Sequence, residues 1–252
     1  MLTAQQVLDF INERAPFEIQ LGFDNSGLLV GHPDNEVTGV HFALDVTNAV
    51  IDEAIAKGAN LIVTHHPMMF SPIKRMVETD HEAHLLCRLI REGISLISAH
   101  TNLDQAPGGC NDVLAQTIGL IDIQGEGFVR VGSLPLPMTA SKLAAHIGAS
   151  LGDVVRVMGN PSAVITKVGM CSGSGADEWP AAAAMGAQAF LTGEVKHHIA
   201  LEAADASMVM LEAGHHATEE PGIFALAKTL QMSELVVQYH VRVTLSRAKA
   251  YQ

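Results

Sequence analysis

The chain has 252 residues, 48% of them hydrophobic and 17% charged, with a formal net charge of −12. That balance argues against disorder, and an acidic surface with no basic stripe or interleaved aromatics argues against direct nucleic-acid binding. No uninterrupted apolar run is long enough to span a bilayer, the residues from Met1 to Gln6 lack a secretory signal, and Cys87, Cys110 and Cys171 form no metal, redox or disulfide spacing. The expected setting is the reducing cytoplasm, with no membrane. The low charged fraction points to an oligomer.

The first expected element is an amphipathic helix from Thr3 to Arg14, with Thr3 as N-cap and Pro16 beyond its end. The turn-rich loop Phe23-Asp24-Asn25-Ser26-Gly27 leads into Leu28-Leu29-Val30. A strand over 40–44 precedes Asp45, and a helix capped by Thr47 or Asn48 runs to Lys57 and stops at Gly58. Leu61-Ile62-Val63 is a short strand closed by His65-His66-Pro67. A helix over 82–91 ends at Gly93, and Ile94–Ile97 is a strand that delivers His100 to Asp104. Glycines and prolines between Ile121 and Pro137 mark the expected domain junction, dividing the chain into 1–124 and 125–252.

The second half repeats the plan. Ser141 begins a short helix. A strand over 165–170 leads to Ser172-Gly173-Ser174-Gly175, and a helix over 179–185 precedes the strand Ala189-Phe190-Leu191. A further helix spans 199–204, and the strand Met208–Leu211 delivers Gly214-His215-His216. Gly58-Ala59-Asn60-Leu61-Ile62-Val63-Thr64 aligns with Gly186-Ala187-Gln188-Ala189-Phe190-Leu191-Thr192, which suggests an internal duplication. Thr218 is the expected cap of a helix with Pro221 in its first turn, leaving His215 in the preceding loop. Leu235–Val243 reads as a strand that pairs in the second sheet or returns to the first.

This alternation implies an α/β fold of two similar domains with mixed, largely parallel sheets flanked by helices. Ligands of such sheets sit beyond the carboxyl ends of the strands. The 13 histidines stand out beside two tyrosines and one tryptophan. Asp45, His65-His66, His100/Asp104, Glu194 and His215/Glu219 each follow an expected strand. Such residues also serve as caps and carbonyl partners, and acidic groups favour a helix start for dipole reasons alone. Imidazole plus carboxylate without thiolate suits two divalent ions such as zinc, iron or manganese. Asp104 is the bridging candidate, since one carboxylate can reach two ions. His100 stands behind it, as an outer partner or a substrate contact. Gly173-Ser174-Gly175 lacks the full phosphate-loop spacing and reads as a tight turn.

Taken together, Phe23–Gly31, Thr64-His65-His66-Pro67, His100–Asp104, Phe190–His198 and Ala213–Glu219 resemble the Nif-three-like dinuclear-metal family over nearly the whole chain, in the compact form without an inserted domain. The resemblance implies His65, His66, Asp104, His215 and Glu219 as metal ligands, a site between two α/β domains, and a ring-shaped homohexamer. It also implies a GTP cyclohydrolase I type II reaction, in which GTP gives dihydroneopterin triphosphate and formate. Glu194 and His100 are then the candidate proton carriers, and Asp45, Lys196, His198 and His216 the candidate substrate contacts. Lys74, Arg75, Lys196 or Arg130 are expected to meet phosphates. The competing readings are a dimetal phosphoesterase or amidohydrolase acting on another substrate, and a non-catalytic metal-binding scaffold for protein partners.

Overall fold

The computed structural model describes residues 1–248. It divides into two compact units: Met1–Pro107 together with the chain from Ile223 onward, and Gly108–Gly222. Among the described residues no helix is long and apolar enough to cross a membrane.

The first unit opens with α1 (Ala4–Asn12). Thr3 caps it: its hydroxyl accepts from the Gln6 amide while the Gln6 side chain returns to the Thr3 amide, so two otherwise orphaned donors are satisfied reciprocally. The chain continues through β1 (Gly27–Val30), β2 (Gly39–Ala43), α2 (Asn48–Ala56), β3 (Leu61–Thr64), α3 (His81–Arg91), β4 (Ser95–Ser98) and α4 (Thr101–Gln105). The cap of α2 is Thr47. β2, β3 and β4 are parallel, with Ala43 opposite Thr64 and Thr64 opposite Ser98. Their carboxyl ends therefore share one edge, which is where Asp45, His65-His66 and His100 leave the sheet. Every residue of β2, β3 and β4 is buried, as expected of parallel strands covered on both faces.

The second unit begins with α5 (Cys110–Thr117), β5 (Ile121–Gln124), β6 (Arg130–Thr139), α6 (Ala140–Leu151) and β7 (Arg156–Met158). It continues with β8 (Val164–Met170), α7 (Trp179–Ala184), β9 (Ala189–Thr192), α8 (His197–Asp205) and β10 (Val209–Glu212). Its sheet runs β5-β6-β8-β9-β10-β7. β8, β9 and β10 are parallel, and β5, β6 and β7 pair antiparallel. The expected domain junction at 121–137 is thus a hairpin of this sheet. Gly125 and Gly127 take positive φ in its turn, and Pro135 and Pro137 fall where the β6–β8 register slips between Ser133 and Met138, a place where a strand tolerates proline. The first boundary lies at Pro107 because Leu114, Ala115 and Ile118 of α5 pack into the core of the second unit with Leu143, Ile147 and Leu191.

The chain leaves this unit through α9 (His215–Gln231), then forms α10 (Glu234–Tyr239) and β11 (Arg242–Leu245). The long strand expected over 235–243 is mostly helix. Ser233 caps α10 by accepting from the Val236 amide, and His240 ends it in the left-handed conformation. β11 returns to the first sheet and pairs parallel with β2, giving the order β1-β4-β3-β2-β11. α9 starts at His215 rather than after Thr218 and carries Pro221 internally. Burial of Ile223, Leu226, Ala227 and Leu230 outweighs the hydrogen bond that Pro221 removes.

Both units share one sequence of elements: an antiparallel edge strand, then three parallel strands joined by helices. In each, the edge strand (β1, β7) lies beside the third parallel strand (β4, β10).

Candidate metal centre

In the first unit three histidines gather at the strand ends. His65 is fully buried. Its Nδ1 lies 2.8 Å from the Ala99 carbonyl, which only accepts, so Nδ1 carries the proton and donates it. His66 Nδ1 donates to Asp45 Oδ1 at 2.7 Å, and His100 Nδ1 donates to Asp24 Oδ1 at 2.8 Å. Each ring is thereby oriented through the same atom, which leaves Nε2 of His65 and of His66 as the candidate ligand nitrogens. The ring centroids stand 5.1 to 5.5 Å apart. One ligand atom from each of the three lies within 4.8 Å of the other two.

Asp104 is buried in the single turn of α4, and its Oδ1 is 3.4 Å from His65 Nε2. That spacing brings a carboxylate to the nitrogen which the tautomer leaves as a lone pair, an arrangement that a cation reconciles. The donor set therefore fits a divalent ion of intermediate softness.

Asp24 is the support that the sequence did not single out. Its side chain is fully buried and accepts from His100, from the Thr101 amide at 3.0 Å and from the Thr101 hydroxyl. Burial alone would raise its pKa. The hydrogen bonds from His100 and Thr101, the charge of His100 and the Asn25 amide overcome that effect and hold the carboxyl well below the usual range. Asp24 is thus an anion at any physiological pH and a fixed anchor for His100. Asp45 likewise stands behind His66 rather than apart from it. A cavity of about 210 Å³ adjoins this pair, lined also by Pro67, Met68, His81 and Glu82.

The second unit places one imidazole between two carboxylates. His215 Nε2 is 3.0 Å from Glu219 Oε2, one helical turn along α9, and His215 Nδ1 is 3.2 Å from Glu194 Oε1. Glu219 is buried, whereas the Glu194 side chain is 60% exposed. Ser174 donates to Glu194 Oε2 at 2.8 Å. Two glycines make the room. Gly173 has φ +60°, and a Cβ there would collide with the Glu219 carboxylate. At Gly193 a Cβ would stand 2.6 Å from the Gly173 carbonyl oxygen and 2.7 Å from His215 Cα. The Gly173 carbonyl accepts from the Gly193 and Glu194 amides, and its amide donates to Thr218 Oγ1 at 3.0 Å. The glycine-serine loop is thus the floor beneath His215 and Glu219. Thr218 braces it instead of capping a helix.

The remaining candidates divide. His216 lies 3.8 Å from Glu220. Lys196 and His198 are exposed at the start of α8, and Lys196 lies 3.8 Å from Asp177. Arg130, expected to meet phosphate, is buried and bound to Asp112 and to the Gly127 and Val129 carbonyls. It holds the hairpin turn.

The family model described as Duf34/NIF3 (NGG1p interacting factor 3) matches residues 2–250. A curated relative from Lactococcus lactis, a "GTP cyclohydrolase 1 type 2 homolog", is 33% identical over 222 residues, 84% of this chain and 86% of the relative. A Streptomyces coelicolor protein of the same name is 35% identical over 231 residues, 86% of this chain and 81% of the relative. The crystal structure of Staphylococcus aureus protein SA1388 matches with a TM-score of 0.94 at 26% identity, covering 99% of this chain and 98% of that one.

Proposed function

As this chain belongs to the Duf34/NIF3 family, we propose that it is a cytoplasmic, metal-dependent hydrolase of a nucleotide-like small molecule, with GTP cyclohydrolysis as the specific form. The ligands of two divalent ions, zinc, iron or manganese, are His65, His66 and Asp104 of the first unit and His215 and Glu219 of the second. The observation that carries this reading is the convergence of His65, His66 and His100, each with its Nδ1 held by an acceptor.

Divalent ions supply Lewis acidity, polarising the substrate and making water a better nucleophile near neutral pH. The residues supply the rest. The Ala99 carbonyl and Asp45 fix the tautomers of His65 and His66, so neither ring spends energy reorienting. His100, clamped by Asp24, is a proton carrier at Nε2. Glu194, exposed and close to His215, takes or returns a proton at the solvent side. Assembly as a homohexamer belongs to the same proposal.

Purified chain, loaded in turn with zinc, iron and manganese, is incubated with GTP. Formate and pterin fluorescence are expected, with about two ions per chain by elemental analysis. Asp104→Ala is expected to lose both metal and turnover. Metal uptake without formate would remove the GTP form and leave another dimetal hydrolysis. If Asp104→Ala loses metal yet keeps the role of the protein in cells, the scaffold reading takes over.

A further inference from the structure

We propose that Phe23 and Phe70 form a stacking platform beside His100 for a planar heteroaromatic ring of the substrate, an inference that rests on the small-molecule hydrolase reading. The chain has eight phenylalanines. Phe42 and Phe190 are fully buried, whereas Phe23 is 61% exposed and Phe70 50% exposed. These two exposed rings meet each other, with centroids 5.8 Å apart and planes tilted by 52°. Phe70 also stands edge-on to His100, 6.1 Å away.

The pair is held in place. Asp24, next to Phe23, is fixed by His100 and Thr101. Asn25 donates from its side-chain amide to the Met69 carbonyl at 2.7 Å, which ties the loop of Phe23 to the loop of Phe70. A platform ordered before binding loses little entropy when a ligand arrives. The occupant it fits is a flat ring. Aromatic faces reward stacking regardless of ring identity, and a base resting there brings its heteroatoms beside the histidine cluster. A second copy of the chain fits less well, because a stable protein interface needs roughly 800 Å² from each partner, far more than two phenylalanine rings offer.

The test uses the full chain loaded with zinc, and guanosine and ribose 5-phosphate as probes in equilibrium dialysis. Phe70→Leu and Phe23→Leu keep apolar bulk but remove the π face. Each is expected to weaken guanosine binding about tenfold while leaving ribose 5-phosphate unchanged. Phe70→Trp is expected to stay within about twofold of the parent. Equal guanosine binding in the leucine variants overturns the platform, as does a parent chain that binds no guanosine. A changed assembly mass in the leucine variants also overturns it, assigning the rings to a subunit contact. Metal content is read in parallel. A chain full of zinc that fails with guanosine refutes the platform alone, whereas a chain that takes up no metal refutes the hydrolase reading.

Discussion

The two units end their parallel strands in different chemistry. The first places three imidazoles there, each steered by an acceptor behind it: the Ala99 carbonyl, Asp45 and Asp24. The second places a single imidazole between Glu194 and Glu219 and makes room for it by omitting side chains at Gly173 and Gly193. One succession of strands and helices thus yields a nitrogen-rich set in one unit and an oxygen-rich set in the other. The difference also locates their weaknesses. The first set depends on outer hydrogen bonds, and the second on unfilled volume.

The most damaging way to probe that contrast is Gly173→Ala. The new Cβ strains a left-handed residue and displaces the Glu219 carboxylate, so a loss on the order of 3 kcal/mol is expected in urea unfolding, together with loss of bound metal. An alanine tolerated there without either change would erase the distinction. A smaller effect comes from the supporting carboxylates. Asp45→Asn is expected to weaken metal binding by roughly tenfold to a hundredfold in chelator competition, and Glu194→Gln by less, because Glu194 is largely solvated. Equal losses would mean that the units rely on outer carboxylates alike.

The least effect is one of pH and belongs to the first unit. His41 is fully buried between Thr244 Oγ1, 2.9 Å from Nδ1, and Glu53 Oε2, 3.2 Å from Nε2. Burial lowers its pKa, nearby Lys57 lowers it further, and Glu53 opposes both without reversing them. The unfolded chain therefore binds a proton first as pH falls below about 6.5. The contribution of His41 is complete above that value and is lost as pH falls through its depressed folded pKa. Thermal unfolding followed from pH 7.5 to 5 should decline less steeply in His41→Gln than in the parent. Identical slopes would remove His41 as a source of acid sensitivity.

The strands and the residues that follow them were legible in the sequence because short apolar runs ended by glycine, threonine or histidine leave few alternatives to a βα junction. The outer support of the site was not legible. Asp24 lies 76 residues before His100, and a turn-rich loop carries no local sign of what it will brace. Pro135 and Pro137 suggested a linker because proline marks a break. Here the break is an irregularity inside β6. Val236 and Val237 suggested a strand, yet the Ser233 cap and the left-handed His240 enclose one short helix. β-Branched side chains weigh less there than the ends of the segment do.

The return of β11 to β2 governs the order in which this protein can be completed during translation. Arg242 pairs with Gly39, so the outer edge of β2 stays uncovered while the ribosome makes the roughly two hundred residues between them. The whole of Gly108–Gly222 emerges in that interval. A nascent chain thus carries an open, apolar strand edge for most of its synthesis, the kind of surface that recruits chaperones or aggregates. Stalling or truncation before residue 242 should leave that edge bare even where every proposed metal donor has already been made.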